Sequence, residues 1–170
     1  LAEHSHEEIK AAVAERYGRR GKPVTARVGG VPPCALRPLA IQRLVVNLVD
    51  NAVRFARSRV LVRAEVDGDD FALTVQDDGP GIPPERRELL FTRFNQLERQ
   101  KGPNGYKGTG LGLAICKEIV SLNQGRIEVE SEPGRGTSFR VRLPSHGAAA
   151  IPPSAAAGRG DSRGSGGTRG

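Results

Sequence analysis

The stretch PLAIQRLVVNLVDNAVRFA, residues 38–56, predicts a long helix with one apolar side. Pro38 favours a helix start, because its fixed φ suits the first turn and its missing N–H needs no partner there. Large apolar residues then recur three and four positions apart, which is the spacing of one helical face. They are Leu44, Val45, Leu48, Ala52 and Phe55. A face this wide has to be buried, so the fold is built outward from this helix.

The other side of the same helix carries Asn47, Asn51 and Arg54, spaced as one polar stripe opposite the core face. An asparagine oxygen is a hard, neutral ligand that can join phosphate oxygens and waters around Mg²⁺. Arg54, one turn further, can neutralise a phosphate. A solvated helix face explains the stripe equally well, although asparagine is a poor interior helix former. Both interpretations stay open on this segment alone.

The flanking segments predict a mixed α/β domain, with helices on one face of a largely antiparallel sheet. Hairpins are indicated where alternating apolar residues flank turn residues, and helices where apolar residues recur with capping residues beside them. The predicted elements are a helix from Ser5 to Tyr17, a strand at Val24–Val28, strands Val60–Val66 and Phe71–Val75, a short helix Glu85–Leu90, a helix Leu111–Asn123, and strands Arg126–Glu130 and Thr137–Leu143.

Composition limits the function classes. The net charge of +7 suits phosphate-rich partners, but the basic residues are scattered and aromatics are only 4%, so nucleic acid ranks below a nucleotide. No apolar run approaches the ~20 residues of a membrane helix, and we expect a cytoplasmic domain.

Cys34 and Cys116 match no metal spacing, and Cys116 falls on an apolar helix side. Residues 1–144 are predicted to fold and the Gly-rich residues 145–170 to form a disordered tail.

A second motif, Asp77-Asp78-Gly79-Pro80-Gly81-Ile82, follows a predicted strand. An aspartate at the end of a half-buried strand can accept the amino hydrogens of adenine, and guanine presents a carbonyl there. Glycines let the backbone approach a flat base closely. Asp-Gly and Pro-Gly are also ordinary turn dipeptides, and on this segment alone the turn is the favoured interpretation.

A third motif, Lys107-Gly108-Thr109-Gly110-Leu111-Gly112-Leu113, ends a long polar loop and opens a helix. Free amides and the helix dipole at such a start attract phosphate. The order of residues is neither a Walker loop nor a dinucleotide fingerprint. The last motif, Gly134-Arg135-Gly136-Thr137, is typical of a hairpin turn, in which Thr137 can still offer a hydroxyl to the pocket.

Taken in order, these segments resemble the catalytic ATP-binding domain of sensor histidine kinases, which shares a superfamily with gyrase, heat-shock ninety chaperones and mismatch-repair ATPases. Residues 47–55 resemble its N box, 77–82 and 108–115 its two glycine boxes, 90–94 its F box and 134–137 its Gly-Thr element. The resemblance implies the superfamily's two-layer α/β sandwich, the Bergerat fold, and the cofactors ATP and Mg²⁺.

The resemblance also implies roles for single residues. Asn51 would bind Mg²⁺ with Asn47 supporting it, and Arg54 would approach the phosphates. Residues 95–107 would form a mobile lid, and Lys107 would contact the γ-phosphate. Nucleotide contacts would come from Phe55 near the base, from Asp77 on the adenine amine, and from Gly79, Gly81, Ile82, Gly108, Thr109, Gly110, Leu111, Gly112 and Thr137.

Catalysis is expected to be transfer rather than hydrolysis. ATPases of the superfamily place a water-activating Glu where this chain has Asn47, which cannot take a proton. The resemblance therefore implies protein-histidine kinase activity with slow intrinsic hydrolysis. None of His4, His6 and His146 stands in the family's phosphoacceptor motif. We therefore expect a monomeric catalytic domain that serves a separate dimerisation domain and a downstream response regulator. A serine kinase of the anti-sigma type and a non-catalytic nucleotide-binding module remain as alternatives.

Overall fold

The computed structural model describes residues 24–29, 38–94 and 109–144. The predicted first helix, Cys34, the predicted lid and the predicted tail lie outside these residues. The elements are β1 Val24–Val28, α1 Pro38–Phe55, β2 Val60–Asp67, β3 Asp70–Asp77, α2 Pro84–Arg87, α3 Gly112–Leu122, β4 Arg126–Glu132 and β5 Gly136–Pro144. None of the helices in the described ranges combines the length and hydropathy of a membrane span.

The five strands form one mixed sheet in the order β1-β2-β3-β5-β4. β1 runs parallel to β2, and the other three pairs are antiparallel. The registers align Val62, Val75, Phe139 and Val129 in one row across four strands. Because side chains alternate along a strand, such rows give the sheet one continuous apolar face.

α1 and α3 cover that apolar face. Leu44 and Leu48 of α1 and Leu113 of α3 lie in one core with Phe71 and Phe139 of the sheet, and each is fully buried. Cys116 is also fully buried, which confirms its predicted packing as a small hydrophobe. The predicted fold class, a two-layer mixed α/β domain with helices on one face, is confirmed.

The predicted boundaries need two corrections. The short helix α2 ends at Arg87 rather than Leu90, and residues 88–91 continue as a turn that aims Leu90 into the core. The helix after the second glycine box begins at Gly112, with Leu111 preceding it. At its other end the left-handed residue is Gln124, with φ 56°. The next residue, Gly125, is required for packing rather than for a left-handed conformation, because a Cβ there would lie 2.3 Å from the Arg142 carbonyl oxygen.

The β4–β5 hairpin turns through two glycines with positive φ, Gly134 at 84° and Gly136 at 93°. Their surroundings differ. A Cβ on Gly134 would meet nothing within 4 Å, whereas one on Gly136 would lie 2.0 Å from the Asp77 carbonyl oxygen. Gly134 is therefore required only for its backbone conformation, and Gly136 also for the contact between β5 and the end of β3.

These two glycines provide a matched test of that contact. We expect Gly134→Ala to lower the free energy of unfolding by about 1 kcal/mol through backbone strain. Gly136→Ala should lower it by at least about 3 kcal/mol, because the new Cβ also pushes two strands apart. Urea unfolding of both variants measures the difference, and equal losses would contradict the close approach to Asp77.

Candidate functional site

A pocket of about 210 Å³ opens between the end of α1, the loop after β3 and the β4–β5 hairpin. Whole ligand pockets span roughly 300–1,000 Å³, so this volume suits a ring system rather than an entire nucleotide. Six residues expected at the site share it, namely Asn51, Phe55, Asp77, Gly81, Ile82 and Thr137; Pro80, Pro83, Arg86, Leu90 and Leu113 complete the lining. Four separate segments of sequence thus meet at one cavity.

Asp77 is the buried charge of this pocket, with only 4% of its surface exposed. Its Oδ1 accepts the Gly79 N–H at 2.8 Å, and the backbone of Thr137 also hydrogen-bonds to the carboxyl group. Burial raises the pKa of Asp77 to about 6, with a further upward contribution from the Asp78 charge, against these two hydrogen bonds. At pH 7 the group is therefore mainly ionised and is only a hydrogen-bond acceptor.

A polar row crosses the sheet at the level of Asp77. The registers place Asp77 opposite Thr137, and Thr137 opposite Ser131, all three buried. The Ser131 hydroxyl accepts the Ile82 N–H at 2.8 Å and lies 2.9 Å from both the Gly136 carbonyl oxygen and Thr137 Oγ1. Ser131 is not among the site residues predicted from the sequence, although its alternation with Ile127 and Val129 along β4 indicates an inward side chain.

Asp78, next to the buried aspartate, holds the corner between α1 and β2. Its carboxylate accepts the N–H groups of Arg57 at 2.9 Å, Ser58 at 3.0 Å and Arg59 at 3.2 Å, and the Ser58 hydroxyl. Burial opposes ionisation, but these hydrogen bonds outweigh it and hold the pKa of Asp78 well below its usual range. The two adjacent aspartates therefore have different roles, and the sequence motif does not distinguish them.

The loop Asp77–Ile82 packs against two neighbours. A Cβ on Gly79 would lie 2.6 Å from the Phe55 carbonyl oxygen, and one on Gly81, whose φ is 74°, would lie 2.0 Å from the Glu132 carbonyl oxygen. The Gly134 N–H donates to the Pro80 carbonyl at 2.7 Å. Both glycines therefore have a packing reason to be small, in addition to the predicted approach to a base.

Arg87 of α2 reinforces the same junction. Its Nε donates to the Ile82 carbonyl at 3.3 Å, and its Nη2 donates to the Ser131 carbonyl. Its neighbour Arg86 is exposed and lines the pocket instead. Neither arginine stands out in the sequence, because a four-residue helix gives too little periodicity to assign its faces.

The polar stripe of α1 lies where a second helix reaches it, which corrects the expected position opposite the core. Asn51 is only 8% exposed, and Asn47 is half-buried with its Oδ1 3.5 Å from where a Cβ on Gly112 would stand. The Arg54 guanidinium donates to Asn51 Oδ1 at 2.9 Å and lies 4.6 Å from the centre of the Phe55 ring. α1 is thus buried on two sides, which its own sequence does not reveal.

The start of α3 is close to this stripe and has no side-chain cap. Thr109 is exposed, and its hydroxyl accepts the Leu111 N–H at 3.3 Å. Gly110 has φ 75°, and its carbonyl accepts the Phe94 N–H at 2.7 Å, which ties the end of the F-box segment to this helix. Lys107 and Gly108, expected at the phosphates, lie outside the described residues.

The F-box segment is anchored by its apolar side chains. Leu90 is buried and lines the pocket, and the Phe91 ring meets the Phe139 ring edge-on, with centroids 6.3 Å apart. Edge-to-face pairs of this kind add to the stabilisation from burial. The segment thus connects one wall of the pocket to the core.

Comparisons with known proteins agree with this arrangement. Residues 37–147 match the family described as histidine kinase-, DNA gyrase B-, and HSP90-like ATPase. Sensor histidine kinase RcsC of Escherichia coli K12 is 41% identical over 119 residues, which is 68% of this chain and 12% of RcsC. The alginate biosynthesis sensor protein KinB of Pseudomonas aeruginosa is 40% identical over 116 residues, 67% of this chain and 19% of KinB. The chain thus spans a small part of these relatives.

Solved structures of histidine kinases have a similar fold. Full-length ShkA in complex with AMPPNP has a TM-score of 0.70 at 28% identity, over 87% of this chain and 31% of ShkA. The histidine kinase domain of the E. coli osmosensor EnvZ has a TM-score of 0.61 at 30% identity, over 92% of this chain and 91% of that domain.

The buried Asp77 carboxylate predicts a pH-dependent stability. Because its pKa is raised in the folded state, the folded protein holds this proton more tightly than the unfolded chain does. Ionisation of Asp77 therefore removes stability as the pH rises from about 4 through about 6. Asn does not titrate, so the Asp77→Asn variant does not lose this stability. Between pH 4 and 7, the free energy of unfolding of the wild type should therefore fall relative to that of Asp77→Asn by up to about 3 kcal/mol. Urea unfolding across this range measures the gap, and a gap that does not change with pH would contradict the raised pKa.

Proposed function

The chain belongs to the histidine kinase-, DNA gyrase B-, and HSP90-like ATPase family, and we propose that it is the catalytic Mg²⁺–ATP-binding domain of a sensor histidine kinase. The observation that carries the proposal is one pocket that collects Asn51 and Phe55 of α1, Asp77 of β3 and Thr137 of β5 from three separate segments. RcsC and KinB are sensor proteins, and ShkA has been solved with AMPPNP, an ATP analogue.

Adenine would be recognised at the buried end of β3. At pH 7 the Asp77 carboxylate is mainly ionised and accepts the amino hydrogens of adenine, whereas the carbonyl of guanine would face a negative charge. Leu90, Leu113 and Ile82 supply apolar walls for the ring. A desolvated acceptor rejects a mismatched base strongly, because the mismatch leaves a buried polar group unpaired.

The residues present fit a Mg²⁺ ion that is held mostly by the nucleotide. The described residues contain no cluster of three or more His, Cys, Asp or Glu side chains that could hold a metal by themselves. Asn51 Oδ1 is a hard, neutral oxygen with two lone pairs. One accepts the hydrogen bond from the Arg54 guanidinium, and the other can bind the ion. When bound, Mg²⁺ would neutralise the phosphate charge. Arg54, one helical turn from Asn51, would do the same from the protein side.

The phosphates would extend from the pocket toward the start of α3, where uncapped amides and the helix dipole attract anions. The γ-phosphoryl group would pass to an imidazole nitrogen on a separate dimerisation domain, with ADP as the leaving group. Asn47 has no group that takes a proton from water, which favours this acceptor over hydrolysis. A response regulator would receive the phosphoryl group next, and we place the whole exchange in the cytoplasm.

Nucleotide titration tests the binding part. The full chain should bind ATP with Mg²⁺ at least tenfold more tightly than GTP, because only adenine matches Asp77. Asn51→Ala should abolish the gain in ATP affinity that Mg²⁺ brings and leave the fold intact. Asn123→Ala, which removes a side chain bonded to the Ile119 carbonyl at the far end of α3, is the matched control and should keep wild-type affinity. Calorimetry measures the affinities of the wild type and of both variants with and without Mg²⁺. An unchanged effect of Mg²⁺ on the ATP affinity of Asn51→Ala would refute the metal role.

Phosphotransfer to a separate domain tests the catalytic part. Mixed with a histidine-kinase dimerisation domain and labelled ATP, the chain should form an acid-labile, base-stable phosphoprotein, as expected of phosphohistidine. Without that domain, ATP turnover should remain slow. Acid-stable label on serine would favour the anti-sigma-type kinase instead, and rapid hydrolysis by the chain alone would contradict the role given to Asn47.

A further inference from the structure

The Ser131 hydroxyl has a determined donor and acceptor pattern. A serine hydroxyl has one proton to donate and two lone pairs. The Ile82 N–H can only donate, so it occupies one lone pair. The Gly136 carbonyl oxygen can only accept, so the Ser131 proton points there, at 2.9 Å. The Ser131 oxygen therefore has only its second lone pair available for a third hydrogen bond, and in that bond it must be the acceptor.

The partner in that third bond is Thr137 Oγ1, also at 2.9 Å. Because Ser131 has no proton left, Thr137 must donate its own proton to Ser131. Thr137 lines the pocket, and with its proton on Ser131 its hydroxyl can only accept a hydrogen bond from a molecule there. Asp77, opposite Thr137 in the register, is an acceptor as well. We call these two pocket residues on adjacent strands, Asp77 and Thr137, the pocket floor, and both of their side chains are acceptors.

We propose that Ser131 is a positioning residue for base recognition: by taking the Thr137 proton, it makes the pocket floor accept hydrogen bonds only, and so selects a base that presents an amine rather than a carbonyl to that floor. This inference rests on the proposed function, because it concerns the same pocket. Ser131 acts through Thr137 and does not line the cavity itself.

A purely structural role for Ser131 makes a different prediction. The hydroxyl joins the loop at Ile82 to the hairpin at Gly136, so its loss would loosen the pocket for every nucleotide alike. A positioning role changes the ratio of two affinities, because a released Thr137 hydroxyl can turn and donate to a carbonyl at the base. ITP is the suitable probe, since hypoxanthine has a carbonyl where adenine has its amine.

The experiment measures dissociation constants of ATP and ITP for the full chain by calorimetry. For Ser131→Ala, the ratio of the ITP constant to the ATP constant should fall roughly three- to tenfold, the effect of about one hydrogen bond. Ser131→Thr keeps the hydroxyl and should restore the ratio. Ser138→Ala, on the opposite face of β5, is the matched control and should leave the ratio unchanged.

A second background shows whether Ser131 works through Thr137. In Thr137→Val, which has no hydroxyl, Ser131→Ala should change both affinities by the same factor. If Ser131→Ala fails to fold, Ser131→Cys fills the same space with a weak donor and carries the same expectation. A ratio that stays constant while both affinities fall would overturn the inference and leave the proposed function standing. A wild-type chain that binds ITP as tightly as ATP would overturn both.

Discussion

A carboxylate at the end of an apolar strand is the constraint around which the site is built. Asp77 continues the inward side of β3 that Leu73 and Val75 begin, so its charge lies at the edge of the core. Burying a charge without partners is unfavourable, and the backbone around Asp77 supplies them. The Gly79 N–H turns back to it, and the backbone of Thr137 reaches it from β5.

The glycines around the pocket follow from that constraint. The Gly79 N–H reaches Asp77 only if the loop passes against the Phe55 carbonyl, where a Cβ would not fit. The backbone of Thr137 reaches it only if Gly136 passes against the Asp77 carbonyl. Asp78 then holds the loop beside the end of α1, because its carboxylate accepts the Ser58 N–H in the corner that follows Phe55. The sequence motif rich in Asp and Gly thus has packing requirements of its own, independent of any ligand.

The sequence predicts the elements whose periodicity is strong and complete. α1 and both hairpins are confirmed to within a few residues, because each buries one face with a regular period. The polar stripe of α1 is more buried than its sequence predicts, and the reason is physical. A single helix shows that Asn47 and Asn51 are off the main apolar face, but it does not show that Gly112 of α3, about sixty residues further along the chain, lies beside Asn47.

The site was predicted less completely than the fold. Asp77 and Thr137 follow from motifs, whereas Ser131 and Asp78 depend on registers and corners that form only in three dimensions. A buried serine in a strand is common, and only its three partners give it a role. Local pattern therefore identifies the groups that can face a ligand, and tertiary structure decides which way their protons point.

The two aspartates of the glycine motif show how stability and binding oppose each other in this fold. Asp78 keeps its charge through four hydrogen-bonding groups of the protein and thereby stabilises the corner in the absence of any ligand. Asp77 has fewer partners and a raised pKa, so its charge lowers the stability of the folded protein. A base that donates amine hydrogens would supply the missing partners, and its binding to the folded state alone would recover that stability. Under the proposed function, the same carboxylate that lowers the stability of the fold at neutral pH is therefore the group that a base with complementary donors would stabilise.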